Sequence, residues 1–352
     1  MKRILLTGVG SPASQNFLAC LRMALDEFYV VGVDANRYHL EWGELDARYE
    51  APWTSDPGYL DWLNALIEKE QIDFVHGQPD YEVAFLSKHV AEIKARTFFP
   101  RPEVIVTAQN KFAAVSLWAK AGLRQRPQLI ADDWDFSLSR DFPVWVRATS
   151  GAGARGACKL ENAAQGLAWW EFWQALGNDC EMMLEEYLPG REYAFSSLWY
   201  GGELICSSAR ERVEKCSNLQ LGGAGVTSSP IVARSVHDER VNQVATQAIR
   251  ALDDHPHGVY SVDLKEDSNG VVRPTECNAG RFFTTSLFLA QGGCNMPHLF
   301  VHLGMGLPEG PPVFLPYNAL PAGLLWIRHI DCGQVLAHES KLRGQLLDGG
   351  GL

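Results

Sequence analysis

Residues 258–281 read "GVYSVDLKEDSNGVVRPTECNAGR" and carry the clearest structural signal in the chain. Asn269-Gly270 stands between two runs of alternating apolar residues, which predicts a β-hairpin closed by a two-residue type I′ turn. In that register Asp263 lies directly opposite Glu276. Like charges in such positions destabilise a sheet, so the pair points to a ligand that offsets the repulsion.

Asn278 follows Glu276 by two residues and therefore points to the same face of the hairpin. Two carboxylates and an amide oxygen suit a hard cation with oxygen ligands, namely Mg²⁺ shared with phosphate oxygens. A solvated hairpin whose acids bind no metal is the alternative, because Lys265 and Arg281 lie close enough in the sequence to neutralise the acids.

A second segment, "RATSGAGARGA" at residues 147–157, places glycines between two predicted strands. Unpaired backbone N–H groups in such a turn can hold phosphate oxygens, and Arg147 adds a fixed charge suited to bidentate phosphate contact. Most Gly-rich hairpin loops are only turns, so this segment indicates a phosphate site only in combination with the acidic hairpin. The glycines concerned are Gly151, Gly153 and Gly156.

The segment "ILLTGVGSPASQN" at residues 4–16 fits a third pattern, G-x-G-x-x-A, formed by Gly8, Gly10 and Ala13. Together with Asp34 at the end of the next predicted strand, this spacing is typical of a dinucleotide-binding turn. A dehydrogenase would, however, leave the acidic hairpin and the second Gly-rich loop without a role. We therefore expect the turn to form a wall of the substrate cleft without binding NAD.

Composition narrows the class of protein. The 352 residues are 46% hydrophobic and 21% charged, which indicates a globular protein of two or three domains. The net charge of −11 argues against a nucleic-acid binder, so an anionic ligand needs a local cationic pocket. Eight scattered cysteines without a C-x-x-C pair predict reduced thiols in a cytoplasmic protein. No apolar run approaches the roughly 18 residues of a membrane span.

The order of elements predicts two architectures in succession. Strands and helices alternate up to residue 106, which predicts a small doubly wound parallel sheet. Strands, hairpins and Gly-rich loops dominate after that point.

In these motifs and their order, the sequence resembles the ATP-grasp superfamily, and within it the carbamoyl-phosphate-synthase-like carboxylate-amine ligases, over roughly residues 1–300. The resemblance implies an α/β chain that is α+β in its grasp part. A Rossmann-like pre-ATP-grasp domain would span 1–106 and an ATP-grasp domain 107–310, with a small lid subdomain at about 140–188. Strands and a tail at 311–352 would pack on the grasp domain.

The resemblance also implies roles for individual residues. The segment at 142–156 resembles the strand and loop that cover the triphosphate, and Lys111 in "QNKF" would reach a phosphate. In "EEYLPGREY", Glu185 and the backbone through Leu188 would hold adenine, and Glu192 would bind the ribose hydroxyls. The proposed ligands of two Mg²⁺ ions, for which Mn²⁺ can substitute, are Asp263, Glu276 and Asn278.

Two matches depart from the family pattern. The usual acidic residue before the phosphate-contacting lysine is Asn110 here. The usual E-x-N-P-R becomes "ECNAGR", which is one residue longer and ends at Arg281.

The function implied is an ATP-dependent ligase that activates a small-molecule carboxylate as an acyl phosphate, which an amine then attacks. Arg147, Arg212 and Arg281 are the expected catalytic cations. Arg210 and Arg212 alternate in "SSARERVEK" and would either grip the substrate or form a solvated strand edge.

Other expectations remain open at the level of sequence. The loop "LQLGGAGVTSS" at 219–229 is a substrate-facing loop or a plain surface turn. We expect no nucleic-acid or membrane partner and allow for a homodimer. The alternative to a ligase is a non-catalytic nucleotide-binding protein, which would lack at least one metal ligand.

Overall fold

The first part of the chain folds into a parallel sheet with helices around it. The computed structural model describes residues 1–24, 28–130, 142–151, 156–177, 180–215, 230–307, 315–329, 332–338 and 340. The strands are β1 Lys2–Thr7, β2 Phe28–Asp34, β3 Ala47–Glu50 and β4 Phe74–His76, in the order β3-β2-β1-β4 and all parallel. The helices are α1 Pro12–Arg22, α2 Tyr59–Glu70 and α3 Asp80–Lys88, with a 3₁₀ helix at Arg37–Glu41.

Local sequence explains these elements. Ile4, Leu5 and Leu6 of β1 are fully buried because the central strand is covered on both faces. α1 begins where Ser11 caps it, by accepting a hydrogen bond from the Ser14 N–H at 3.1 Å. The predicted doubly wound parallel sheet is confirmed.

A small antiparallel sheet follows two further helices. The helices are α4 Pro102–Gln109 and α5 Lys111–Lys120. The strands are β5 Gln128–Leu129, β6 Val144–Ala148, β7 Cys158–Leu160 and β8 Met182–Glu186, in the order β5-β8-β6-β7. α6 Ala163–Ala175 lies against this sheet, and Val146, Leu184 and Trp173 belong to its own core. The predicted limits of the domains and of the lid stay a prediction.

The third sheet is the largest of the described residues and is antiparallel. Its strands are β9 Glu192–Tyr200, β10 Glu203–Lys215, β11 Pro230–Val236, β12 Gly258–Glu266, β13 Val272–Ala279, β14 Leu324–His329 and β15 Cys332–His338. Their order is β13-β12-β9-β10-β11-β14-β15. One face packs against α4, α5 and α7 Glu239–Leu252. The last helices are α8 Ser286–Gln291 and α9 Met296–Met305.

Two expectations from composition concern membranes and thiols. Within the described part of the chain, no helix has both the length and the apolar character needed to cross a bilayer. The six cysteines with described side chains are all free, and Cys20, Cys206, Cys277 and Cys294 are buried.

The turn of the β12–β13 hairpin differs from the prediction. A two-residue turn would pair Ser268 with Val271, but the Asp267 N–H donates to the Val271 oxygen at 2.9 Å and the Gly270 N–H donates to the Asp267 oxygen at 3.0 Å. The loop therefore has three residues, with Gly270 at φ +76°, which is a common alternative hairpin loop. The predicted two-residue turn is wrong.

A bulge farther along the hairpin compensates for the longer loop. Near the turn the pairing is shifted by one residue, so that Leu264 faces Pro274. Thr275 is the extra residue that restores the register, and Asp263 faces Glu276 as predicted. The predicted pairing at the acids is confirmed.

A buried cluster of ions joins the small sheet to the large one. Arg124 follows α5, and its Nη2 donates to Glu185 on β8 at 2.9 Å while its Nη1 donates to the Pro274 oxygen on β13 at 3.3 Å. Its Nε lies 2.9 Å from the Glu186 carboxylate. Burial lowers the pKa of Arg124, and the two carboxylates counter this effect in part. The two sheets are therefore joined through paired buried charges.

The end of β13 is pressed against the N-terminal part of the chain at Gly280. This glycine has φ +83°, and a Cβ there would lie 2.8 Å from Val83 Cγ1 and 3.3 Å from Pro100 Cδ. Gly270 has a similar φ of +76°, but a Cβ there would meet nothing within 4 Å. The two positions share the backbone requirement and differ in packing.

Replacing Arg124 by methionine is expected to lower the free energy of unfolding by about 3–5 kcal/mol, because it leaves the Glu186 side chain, which is only 12% exposed, without its counter-ion and leaves the buried Glu185 with Arg147 alone. Urea denaturation measures this loss. The matched control is Lys94→Met, which breaks an ion pair with Glu68 whose partners are both more than half exposed, and should cost less than about 1 kcal/mol. Equal losses in the two variants would contradict the role of the cluster.

Gly280→Ala and Gly270→Ala should separate backbone strain from packing. Both alanines adopt a left-handed conformation that costs about 1–2 kcal/mol. Gly280→Ala also forces Val83 and Pro100 to move, which adds about 1–3 kcal/mol. Equal midpoints in parallel denaturation curves would show that the contact at Gly280 does not constrain the fold.

Candidate active site

A cavity of about 680 Å³ lies between the small sheet and the polar face of the large sheet. It gathers almost all residues that the sequence singled out. The predicted residues that line it are Lys111, Arg147, Gly151, Glu185, Leu188, Glu192, Arg212, Asp263, Glu276, Asn278 and Arg281. Gly153 lies outside the described residues.

The floor of the cavity is formed by rows of residues in register across β10, β9, β12 and β13. Paired residues on neighbouring strands share a face of the sheet. One row is Arg210, Ala194, Asp263 and Glu276, and the next is Ser208, Ser196, Ser261 and Asn278. The small residues in these rows leave room above the sheet, so the charged side chains define the site.

Each candidate metal ligand lies beside a cation. Arg212 Nη2 is 2.6 Å from Asp263 Oδ1, and Lys111 Nζ is 3.7 Å from Glu276 Oε1. The Asn278 Oδ1 accepts a hydrogen bond from Arg281 Nη2 at 2.6 Å. Three oxygen-bearing side chains from one hairpin therefore converge within a strongly basic surrounding.

The donor set fits Mg²⁺ that shares its coordination with a phosphate ligand. Among the described residues, no group of three or more His, Cys, Asp or Glu side chains is placed to hold a metal ion. The hairpin offers two carboxylates and one amide, and Mg²⁺ typically uses one or two carboxylates together with substrate phosphates. The Lys265 Nζ lies 2.8 Å from the Glu192 carboxylate, so this lysine pairs with Glu192 and not with the acids of the hairpin.

Lys111 connects the Gly-rich segment to the acidic hairpin. It is the first residue of α5, whose N-terminus is capped by Asn110 through a hydrogen bond from the Ala113 N–H at 2.9 Å. The Lys111 Nζ donates to the Gly151 oxygen at 2.7 Å. Asparagine in place of the family's acidic residue thus fixes the start of the helix that carries the lysine.

Gly156 packs away from the cavity, and its predicted role in phosphate binding stays a prediction. It is not among the residues that line the cavity. Its φ is +64°, and a Cβ there would lie 2.8 Å from the Trp173 ring. Packing against the α6 tryptophan therefore accounts for this glycine.

Arg147 and Glu185 face the cavity as members of the buried ion cluster. Arg147 Nε lies 2.7 Å from Glu185 Oε1, and its Nη2 donates to the Thr275 oxygen at 2.8 Å. The guanidinium is thereby held at a fixed position against Thr275, the residue before Glu276. This rigid placement suits a phosphate-binding cation.

Glu192 lies at the opposite side with two lysines. Lys215 Nζ is 2.6 Å and Lys265 Nζ is 2.8 Å from its carboxylate. Burial alone would raise the pKa of Glu192, but the hydrogen bonds from the two lysines lower it below its ordinary value. Lys159 stands 4.5 Å from the Tyr187 ring centre. Sequence reasoning missed Lys159, Lys215 and Tyr187. It expected Lys265 beside the hairpin acids, because Lys265 stands two residues after Asp263 and so shares its face, but it did not predict the contact with Glu192.

Arg210 is buried, Arg212 is largely covered, and β10 lies between β9 and β11, so the alternative of a solvated strand edge is wrong. Arg210 is 5% exposed, and the Arg212 side chain is 10% exposed. Burial lowers the pKa of Arg212, but the Asp263 carboxylate raises it above the ordinary value. Arg210 Nη1 donates to Ser196 Oγ at 2.8 Å.

Arg281 reaches the cavity in spite of the extra residue in "ECNAGR". Gly280, within this lengthened segment, has a positive φ and turns the chain directly after β13. The Arg281 guanidinium then contacts both Asn278 and Asp80, the first residue of α3. The N-terminal part of the chain thus helps to position a cation in the site.

The Gly8–Gly10 turn lines a separate hollow of about 640 Å³ and not the large cavity. The expectation that it forms a wall of the cleft is therefore wrong. The Gly10 N–H donates to Asp34 Oδ2 at 2.9 Å, and a Cβ on Gly10 would lie 2.1 Å from the His39 ring. The Gly10 N–H is therefore satisfied by Asp34, which also accepts from the Asn36 N–H at 2.9 Å. The loop at 219–229 lies outside the described residues.

Comparison with solved structures places this architecture. No protein-family model matches the sequence. The L-amino acid ligase from Bacillus licheniformis is similar with a TM-score of 0.68 and 13% identity, over 93% of this chain and 79% of the other. N5-carboxyaminoimidazole ribonucleotide synthetase from Thermotoga maritima gives 0.65 and 17%, over 93% and 80%.

A third similar structure was solved with nucleotide. It is the biotin carboxylase domain of the 2-oxoglutarate carboxylase from Hydrogenobacter thermophilus, in complex with MgADP, ADP and bicarbonate. Its TM-score is 0.63 with 14% identity, over 92% of this chain and 73% of the other. The chain has the ATP-grasp fold, with an N-terminal parallel-sheet domain followed by the grasp domain.

Proposed function

We propose that the protein is an ATP-dependent carboxylate-amine ligase that forms a C–N bond through an acyl phosphate. The observation that carries this proposal is the meeting of Asp263, Glu276 and Asn278 with Lys111 and Arg147 in one cavity. Such a combination of oxygen ligands and fixed cations is suited to a nucleoside triphosphate with its metal. All three proposed metal ligands are present, which speaks against a non-catalytic relative.

The chemistry addresses a physical difficulty. A carboxylate is a poor electrophile because its oxygen is a poor leaving group. Transfer of the γ-phosphoryl group of ATP to the carboxylate makes an acyl phosphate, which an amine attacks with release of phosphate. Positioning and charge neutralisation supply most of the rate enhancement in such a transfer.

The cations of the cavity fall into two groups, one that would bind the phosphates of ATP and one that would bind the acceptor carboxylate. Lys111 and Arg147 would hold the phosphate oxygens from the side of the small sheet. Arg212 and Arg281 would stabilise negative charge that develops on the transferred group and the acceptor carboxylate. Mg²⁺ bound by Asp263, Glu276 and Asn278 would neutralise phosphate charge when present.

The nucleoside would lie along the segment from Glu185 to Glu192. In this assignment the backbone through Leu188 holds adenine and Glu192 binds the ribose hydroxyls. Both ends line the cavity, and Lys215 and Lys265 keep the Glu192 carboxylate ionised and oriented. Glu185, whose carboxylate is occupied by Arg124 and Arg147, would act by orienting the adjoining backbone.

The finer assignments belong to this proposal as well. We place the protein with the carbamoyl-phosphate-synthase-like ligases because of the order of its motifs. Its substrates would be a small carboxylate and a small amine, its location the cytoplasm, and its assembly a monomer or homodimer.

Glu276→Gln should lower MgATP-dependent ADP release by at least about 100-fold, because it removes a metal ligand without changing the shape of the side chain. ADP release is measured across a panel of amino acids and small carboxylates. The Mg²⁺ concentration for half-maximal activity should rise in parallel.

The matched control is Glu214→Gln, an exposed acid on β10 that does not line the cavity and should leave ADP release unchanged. Unchanged activity in Glu276→Gln would remove the metal assignment. ATP binding without turnover of any substrate pair would favour the non-catalytic alternative, and tight NADH binding would favour the dehydrogenase.

A further inference from the structure

Arg210 is a buried cation that has no anionic partner within the described part of the chain. Its Nη1 donates to Ser196 Oγ at 2.8 Å, and its guanidinium lies 5.3 Å from the centre of the Phe283 ring. Its Nε is buried without a hydrogen-bond partner. Among the described residues, no carboxylate forms an ion pair with it, although it lines the cavity.

The surroundings make this arrangement costly. Burial lowers the pKa of Arg210 to about 9, and the neighbouring charges of Arg212 and Arg328 act in the same direction. Asp263 opposes them, but its carboxylate is held by Arg212 at 2.6 Å. An uncompensated charge in a protein interior destabilises the fold. Packing therefore gives no reason for an arginine at this position.

A second polar group at the same end of the cavity also lacks a partner. Thr285 is 1% exposed and lines the cavity, and its Oγ1 has no hydrogen bond. It follows Phe283, on which the Arg210 guanidinium rests, by two residues. A hydrogen-bond donor and a cation without an anion therefore border one region of the cavity.

Register fixes the distance of this region from the proposed metal ligands. Arg210 pairs with Ala194, which pairs with Asp263 on its other side. Two strand spacings separate Arg210 from Asp263, or roughly 10 Å between their backbones. Arg212 on the same strand spans this distance and pairs with Asp263 at 2.6 Å, whereas Arg210 forms no ion pair with a described carboxylate. Arg210 is therefore the arginine that is left to hold an anion other than the one at the metal ligands.

We propose that Arg210 and Thr285 bind a carboxylate that does not react, carried by one of the two substrates. The substrate that carries it is a dicarboxylic acid or an amino acid. This inference rests on the proposed ligase function and adds a substrate class to it. The carboxylate supplies the anion that Arg210 lacks and accepts the hydrogen bonds that the Arg210 Nε and the Thr285 hydroxyl leave unused.

The test compares substrates with and without the second carboxylate. Succinate and glutarate are assayed against butyrate and valerate as acids, and glycine, alanine and glutamate against their α-amides as amines. The wild-type protein should prefer the compound that carries the second carboxylate by at least about 30-fold in kcat/KM, since the compound without it loses a charged hydrogen bond. Arg210→Met should abolish that preference, and Thr285→Val should reduce it about 10-fold.

Two arms identify which substrate carries the carboxylate. With hydroxylamine as the amine, the acyl phosphate is trapped as a hydroxamate with release of phosphate, so only the acid can occupy the Arg210 region. Loss of hydroxamate formation in Arg210→Met assigns the carboxylate to the acid. Unimpaired hydroxamate formation with loss of coupling to an amino acid assigns it to the amine.

Binding and stability separate this inference from its alternatives. MgADP affinity by calorimetry should stay within about two-fold in Arg210→Met, since the affected group is not a phosphate ligand. The melting temperature should equal or exceed that of the wild type, because the unpaired charge is gone. Arg210→Lys, which retains the charge but loses the fork, should restore part of the preference.

Each failure has its own signature. Turnover with an unchanged preference in Arg210→Met overturns the carboxylate site and leaves the ligase function standing. A lower melting temperature together with weaker MgADP binding shows a structural role and also overturns it. If no substrate pair is turned over, the ligase function fails. The carboxylate site is then tested directly by calorimetry, which compares the binding of succinate and glutamate to the ADP-bound wild type and to ADP-bound Arg210→Met. Equal binding to the two proteins would overturn the carboxylate site.

Discussion

The opposition of Asp263 and Glu276 across one pair of strands is the constraint around which the site is arranged. Two carboxylates held in register repel each other, and the chain answers by bringing cations from distant segments. Arg212 of β10 pairs with Asp263, and Lys111 at the start of α5 lies beside Glu276. Arg281, in the turn after β13, binds Asn278 and the Asp80 carboxylate at the start of α3. The large sheet and α5 thus supply cations to the hairpin acids, and the N-terminal domain supplies the acid that positions Arg281.

A chain with a net charge of −11 nevertheless builds a basic cavity. Among the described residues, nine basic and five acidic side chains line it. Local excess of positive charge between low-dielectric walls concentrates anions such as nucleotides, whatever the sign of the whole molecule. The acids of the cavity hold some of these cations in place through ion pairs. Glu185 pairs with Arg147, and Glu192 pairs with Lys215 and Lys265, so these cations are positioned before a ligand binds.

The sequence predicts the parallel sheet, the hairpin and most of the residues of the site, because these follow from local alternation and spacing. Asp263 faces Glu276 as predicted because two deviations from the predicted hairpin cancel. A three-residue loop shifts the pairing by one residue, and the bulge at Thr275 restores it. Neither deviation is visible in the alternation of apolar residues. Long-range partners were missed for a similar reason, since nothing in the local pattern shows that Arg124 meets Glu185 or that Gly156 lies against Trp173.

The different partners of Arg210 and Arg212 could not be predicted from the sequence pattern. These two residues are of the same type, two positions apart on β10, and both line the floor of one cavity with side chains that are largely covered. Arg212 takes the Asp263 carboxylate, although Asp263 lies in the same row as Arg210, and Arg210 is left with a hydroxyl and a phenyl ring. Since one carboxylate is engaged by a single fork, the second arginine keeps its charge uncompensated. An uncompensated charge in the interior lowers the free energy of unfolding. An anion bound in the cavity beside Arg210 would neutralise that charge.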